Sequence, residues 1–160
     1  MTPNAEDARE PIFRYLSHNS NEWWAAVELR RRVLRLPLGL DFSPEELAAE
    51  LDHYQVALLD NATVVACASL VLPGVHKFSE RTAEVGKIRQ VAVDPALRGR
   101  GYGERIMRET EAAAARLGVR SLVLHARADV VPFYEKLGYA LEGDEFTEVG
   151  LPHRRMTKKL

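Results

Sequence analysis

The run Val91-Ala92-Val93-Asp94-Pro95-Ala96-Leu97-Arg98-Gly99-Arg100-Gly101-Tyr102-Gly103-Glu104 constrains this chain more than any other. Ile88, Val91 and Val93 make its approach an apolar strand, and Asp94-Pro95 breaks it. Three glycines at alternate positions then carry the chain into a helix expected to reach about residue 117. A strand that ends in a glycine loop and turns into a helix suits the holding of phosphate. Glycine has no Cβ, so the backbone can take positive φ and its N–H groups can approach an anion closely. The first N–H groups of the helix lack partners within it, and the helix dipole puts partial positive charge there. Arg98 and Arg100 add two full charges at the same end. A flexible strand–helix turn is the plainer reading of the same glycines.

The loop is not one of the commoner phosphate signatures. No Gly-Lys-Ser/Thr follows at the spacing of a P-loop, and Gly99, Gly101 and Gly103 give G-x-G-x-G instead of the dinucleotide G-x-G-x-x-G. With 160 residues the chain suits one domain with a proper core. Lys plus Arg number 22 and Asp plus Glu 23, so the balance argues for neither nucleic acid nor an anionic membrane as partner. Cys67 is the only cysteine, which excludes an internal disulfide and a multi-cysteine metal site. Inside a strand-like run it reads as a small buried residue, with a nucleophile as the minority alternative. His18, His53, His76, His125 and His153 are scattered without ligand spacing, so no metal is expected. Residues 1–10 read as a loose polar leader with no apolar signal region, and no apolar run approaches a membrane span. A cytoplasmic protein is the expectation.

Taken in order, residues 12–16 suit a short strand. Asn19-Ser20-Asn21 offers caps for a helix over 22–34, whose apolar spacing runs through Trp23, Ala26, Val27, the stem of Arg30, Val33 and Leu34. Adjacent tryptophans cannot both face one core, so Trp23 or Trp24 should line a groove or a partner surface, such as that of a homodimer. The irregular apolar segment 36–42 fits a packed connector and a substrate wall equally well. Ser43-Pro44-Glu45-Glu46 starts a helix that ends near residue 51. Strands come next at 54–59 and 63–72, with Asp60-Asn61-Ala62 as their turn, then a charged loop at 76–82 and a strand at 84–93. The helix after the glycine loop puts Ile106, Met107, Thr110, Ala113, Ala114 and Leu117 on one face and stops at Gly118. Residues 121–124 should form a central strand parallel to the one before that helix. A helix at 131–137 and strands at 139–149 and 153–160, joined by Gly150-Leu151-Pro152, close the chain.

Two motifs in this order carry a family resemblance. Arg98-x-x-Gly101-x-Gly103, entered through Gln90-Val91-Ala92-Val93, resembles the pyrophosphate signature of the GNAT acyl-CoA N-acyltransferases, Gln/Arg-x-x-Gly-x-Gly/Ala. Pro132-Phe133-Tyr134-Glu135-Lys136-Leu137-Gly138-Tyr139 resembles the second motif of that superfamily, often Phe-Tyr-Glu-Lys-Leu-Gly-Phe. The order of elements is also similar, over about residues 12–160. The tail Glu148-Val149-Gly150-Leu151-Pro152-His153, with Met156, looks like the ElaA-like branch of small bacterial acetyltransferases. Arg98 stands where glutamine is common, and His125 where relatives often carry asparagine.

The resemblance implies a single α/β domain over 11–160, built on a mixed (α+β) sheet splayed between its fourth and fifth strands. It further implies acetyl-CoA as co-substrate in that gap, on Val91, Ala92, Val93, Arg98, Gly99, Arg100, Gly101, Tyr102, Gly103 and Glu104, with His125, Phe133 and Lys136 beside it. The acetyl group would pass to a primary amine, on a small molecule or a protein, by direct attack in a ternary complex. An alkyl ammonium has a pKa near ~10.4 and must lose its proton first. Glu84, Glu148 and His153 are the candidate bases, with a water relay as a further route. His153 is read equally well as a structural histidine. Tyr134 would steady the leaving thiolate, and a strand N–H at Val91 or Ala92 the oxyanion. A non-catalytic acyl-CoA-binding or sensor module, and an acyltransferase for longer chains, stand as alternatives.

Overall fold

A computed structural model describes residues 10–74 and 84–160. The leader expected at 1–10 lies outside them except for its last residue, and the charged loop expected at 76–82 lies wholly outside. The described chain runs β1 (Ile12–Leu16), α1 (Asn21–Arg30), α2 (Pro44–Ala48), β2 (Tyr54–Asp60), β3 (Thr63–Val71), β4 (Val85–Val93), α3 (Tyr102–Arg116), β5 (Ser121–Arg127), α4 (Val131–Lys136), β6 (Ala140–Glu148) and β7 (Leu151–Lys159). The seven strands form one sheet in the order β1-β2-β3-β4-β5-β7-β6. Only β4 and β5 are parallel; the other neighbours are antiparallel.

Helices cover both faces, which explains why the central strands read as unbroken apolar runs. Val56 and Leu58 of β2 face α3, where Ile106, Met107 and Ala114 complete one core. Their neighbours Ala57 and Leu59 face α1 and pack with Trp23, Ala26 and Val27. Cys67 belongs to this second core, and burial pushes its thiol up to about 12. That leaves almost no thiolate at neutral pH, as a structural cysteine requires. Of the two tryptophans, Trp23 is buried and Trp24 exposed, with the Trp24 indole donating to Asn19 Oδ1 at 2.7 Å.

The sheet opens where β4 and β5 part. They pair at Val85↔Ser121, Gly86↔Leu122 and Lys87↔Val123 and not beyond, although β4 continues to Val93 and β5 to Arg127. Gly86 lets the joined end close, because a Cβ there would lie 3.2 Å from Val119 and 3.3 Å from Leu122. At the parting, Gln90 takes φ 55 and the β3–β4 register shifts between Cys67 and Ser69. One extra residue in β4 bends the strand and re-aims the residues beyond it. The Gln90 side chain is pinned from α1: buried Arg30 donates from Nε to Gln90 Oε1 at 3.0 Å, while its Nη2 holds the Glu50 carboxylate.

Four expectations need correction. The first helix stays α-helical only to Arg30 and continues as a π-turn over Arg31–Arg35, a form that recurs at functional sites. Leu117 is 42% exposed, because α3 ends at Arg116 and the chain turns at Gly118, φ 86, so that Val119 is buried instead. Glu84 precedes β4. The last turn is Val149-Gly150 and not Gly150-Leu151-Pro152, since Leu151 already pairs with Glu148 and Pro152 with Thr147. Pro152 fits there because β5 ends at Arg127, opposite His153, so no β5 residue faces its missing N–H.

That turn has φ 47 at Val149 and φ 77 at Gly150, the pattern of a tight hairpin turn with both central residues left-handed. A β-branched residue is strained there, whereas asparagine tolerates the conformation. Val149→Asn is therefore expected to stabilise the fold by about 1 kcal/mol, read as a higher urea midpoint at unchanged slope.

Candidate active site

The gap between β4 and β5 widens into a cleft of about 900 Å³. One wall is the exposed edge of β4, where Val91, Ala92 and Val93 have no strand partner on the β5 side. Buried backbone N–H and C=O groups need partners, and the amides of an extended ligand laid along β4 would supply them. At the end of this wall, Asp94 caps a short turn by accepting from Ala96 N at 3.0 Å, and the glycine loop begins. Gly99 and Gly101 take φ 80 and 81, and a Cβ on either would meet nothing within 4 Å, so the loop stands open on that side. Gly101 caps α3 without any side-chain bond, which leaves the first N–H groups of that helix free for an anion. Gly103 is needed for another reason: a Cβ there would press to 3.3 Å of the Phe133 ring.

Arg98, Gly99, Gly101, Tyr102, Gly103 and Glu104 all line this end of the cleft. Arg100 is exposed and not part of the lining, and neither is Lys136. The opposite wall comes from β5 and α4, with His125, Phe133 and Tyr134. Tyr134 packs edge-on against Phe133 and Tyr139, at 5.0 and 6.0 Å between ring centres. Burial pushes its phenol up to about 12.

Three side chains converge where β5, β6 and β7 pair. The register sets Arg127 opposite His153 and Phe146 opposite His153, which brings the end of β6 against both histidines. His125 Nδ1 lies 3.1 Å from Glu148 Oε1, and His153 Nε2 lies 3.7 Å from Glu148 Oε2. A carboxylate accepts, so His125 Nδ1 carries the proton of that bond. This bond, against the opposing effect of burial, holds the Glu148 carboxyl below its ordinary range. His153 is buried, and its Nδ1 is 2.9 Å from the Leu151 carbonyl. A carbonyl also only accepts, so Nδ1 carries the proton of that bond, and Nε2 is the ring nitrogen turned toward Glu148.

Glu84 stands apart from this group. It is absent from the cleft, lies beside the joined end of β4 and β5, and pairs with Arg120 at 3.5 Å. The structure adds lining residues to those named as site candidates, and it draws one of them from the 36–42 segment, which fitted a packed connector and a substrate wall equally well. Val33, Leu34 and Arg35 enter the wall from the π-turn, Leu38 from the loop after it, and Arg89 and Gln90 from β4. A proline one residue after Leu36 marked that loop as irregular, but nothing in the sequence marked the π-turn.

A mixed sheet parted between two parallel strands, with an uncapped helix N-terminus and glycine loop at the mouth of the gap, defines the acyl-CoA N-acyltransferase fold. A family model for the acetyltransferase (GNAT) domain matches residues 41–160, and the chain belongs to that family. It is 34% identical over 134 residues to a Bacillus subtilis (strain 168) protein named as an acetyltransferase, covering 84% of this chain and 87% of that one. It is 35% identical over 96 residues to glucosamine 6-phosphate N-acetyltransferase 1 of Oryza sativa subsp. japonica, covering 59% of this chain and 58% of that enzyme. For two curated relatives the matched stretch thus spans little more than half their length, 53% and 58%. The fold is shared with Escherichia coli ElaA at a TM-score of 0.76 and 23% identity, over 92% of this chain and 99% of that one.

Proposed function

We propose that this protein transfers the acetyl group of acetyl-CoA to a primary amine by direct attack in a ternary complex. The observation that carries the reading is the parting of β4 and β5 after Lys87, which opens the edge of β4 between the glycine loop and Tyr134. In this reading the pyrophosphate rests on the N–H groups at the start of α3, and the thioester arm lies along Val91, Ala92 and Val93. A small-molecule amine is preferred to a protein amino group as acceptor. The similarity to a glucosamine 6-phosphate N-acetyltransferase supports that choice.

The chemistry is set by the protons. The ammonium, with its pKa near ~10.4, gives a proton to His153 Nε2, and the imidazolium so formed faces the ionised Glu148. The neutral nitrogen attacks the thioester carbon, and an N–H at Val91 or Ala92 holds the oxyanion. Collapse breaks the C–S bond, and the departing sulfur accepts a hydrogen bond from the Tyr134 phenol. The second nitrogen proton neutralises the thiolate. Amine and acetyl-CoA thus give amide and thiol, with no covalent enzyme intermediate.

His153 is preferred to Glu148 as the base. A carboxyl held below its ordinary range is a poorer proton acceptor near neutrality than an imidazole. The pH profile should therefore include a limb that belongs to the enzyme, and His153→Ala should lose it. Measuring kcat/KM against pH with two acceptors of different amine pKa separates an enzyme limb from a substrate limb. A limb that tracks the amine in both proteins would remove His153 from the role.

A further inference from the structure

Two arginines in the cleft stay outside this mechanism. Arg35, at the end of the π-turn, and Arg89, on β4, both line it. Among the described residues neither is joined to a carboxylate in an ion pair. Arg35 is half-buried, its guanidinium 4.7 Å from the centre of the Phe42 ring, and among the described residues its one side-chain hydrogen bond is a long 3.5 Å contact to the Leu34 carbonyl. Burial pulls the Arg35 guanidinium down from its usual value, and the like charges of Arg30 and Arg89 act in the same direction, against Glu46 and Glu148. Arg30 lies against the other side of this set: it is buried, also 4.7 Å from the Phe42 ring, and among the described residues its Nη1 has no hydrogen-bond partner.

A cation taken partly out of water beside two others is unfavourable until an anion joins it. With a net charge of −1 for the whole chain, this positive charge is local and not a general property of the surface. It also lies away from the expected pyrophosphate position, since Arg35 feels Glu148 while Arg98 stands at the glycine loop. The cleft therefore offers the Glu148 carboxylate near the histidines, and two arginines that, among the described residues, form no ion pair with a carboxylate. That pattern complements a molecule with an ammonium at one end and an anion at the other.

We infer that the acceptor is an amine that also carries a phosphate or carboxylate, which Arg35 and Arg89 bind while the amine faces His153 and Glu148. The inference deepens the acyl-transfer reading of the same cleft. Charge-assisted hydrogen bonds of this kind give roughly ten- to a hundredfold in affinity.

The test is calorimetric titration of the CoA-saturated full chain with ethanolamine, O-phosphoethanolamine and β-alanine. At least one anionic probe should bind about tenfold or more tightly than ethanolamine, and which one does so tells phosphate from carboxylate. Arg35→Met and Arg89→Met should each shrink that preference, with CoA affinity maintained. Methionine keeps an apolar stem over Phe42, and the exposed Arg89 site serves if the Arg35 variant does not fold. Equal binding of all three probes, binding of none, or variants that lose CoA affinity would overturn the inference. Thiol release from acetyl-CoA, scored with the same amines, separates the two claims. Transfer without anion preference removes the anion site alone, whereas anion-selective binding without transfer to any amine upholds that site and counts against acetyl transfer.

Discussion

Tyr134→Phe is expected to lower kcat by roughly 10²-fold or more and to leave acetyl-CoA affinity nearly unchanged. The ring contacts with Phe133 and Tyr139 survive in phenylalanine, so packing is retained and only the hydroxyl is lost. The acidity of the hydroxyl limits the role proposed for it. Burial pushes the phenol up to about 12, far above a thiol near ~8.5, so giving its proton outright to the leaving sulfur is uphill. In the proposed mechanism it acts by donating a hydrogen bond, and burial keeps it protonated throughout the working range. Tyr134 should therefore add no alkaline limb to the pH profile below about pH 11. Steady-state kinetics and calorimetry on the variant check both halves. Full activity would hand the thiolate to backbone or solvent.

Gly101→Val should raise the Kd for acetyl-CoA by about 10²-fold while the protein stays folded. Gly101 caps α3 at φ 81, where a β-branched residue is strained by about 1–2 kcal/mol. A Cβ on Gly101 would meet nothing within 4 Å, so the expected damage is to backbone direction and not to packing. In the proposed binding mode, turning the first N–H groups of α3 away from the pyrophosphate removes charge-assisted bonds that the free protein does not make, so binding should suffer more than folding. Calorimetry and thermal unfolding read the two separately. Unchanged affinity would contradict the assignment of this loop to phosphate.

The loop and the helix after it were legible because their chemistry is local. Glycines at alternate positions, Asp94-Pro95 before them and Gly118 after the helix each state a backbone requirement at the residue where it applies. The parting of the strands was readable only through the family resemblance. Its visible cause is a left-handed Gln90, and glutamine carries no sign of positive φ; what holds it, Arg30, comes from 60 residues away. The meeting of His125, Glu148 and His153 depends on the register of β5, β6 and β7, which spacing along the chain does not encode. The burial of Glu111 in α3 has the same origin, since it is matched by Lys158 of β7 at 2.8 Å. Arg35 was hidden by the π-turn, which shifts every later side chain relative to an α-helical wheel.

In the function proposed, the cleft transfers an acetyl group and does not merely hold acetyl-CoA. This is tested most directly by monitoring thiol release from acetyl-CoA in the presence of a panel of primary amines, with the acetylated amine measured alongside. Release should depend on the amine, be matched by acetylated product, and fall in Tyr134→Phe. Tight acetyl-CoA binding with no amine-dependent release across the panel would contradict it and leave a binding or sensor module of the same fold.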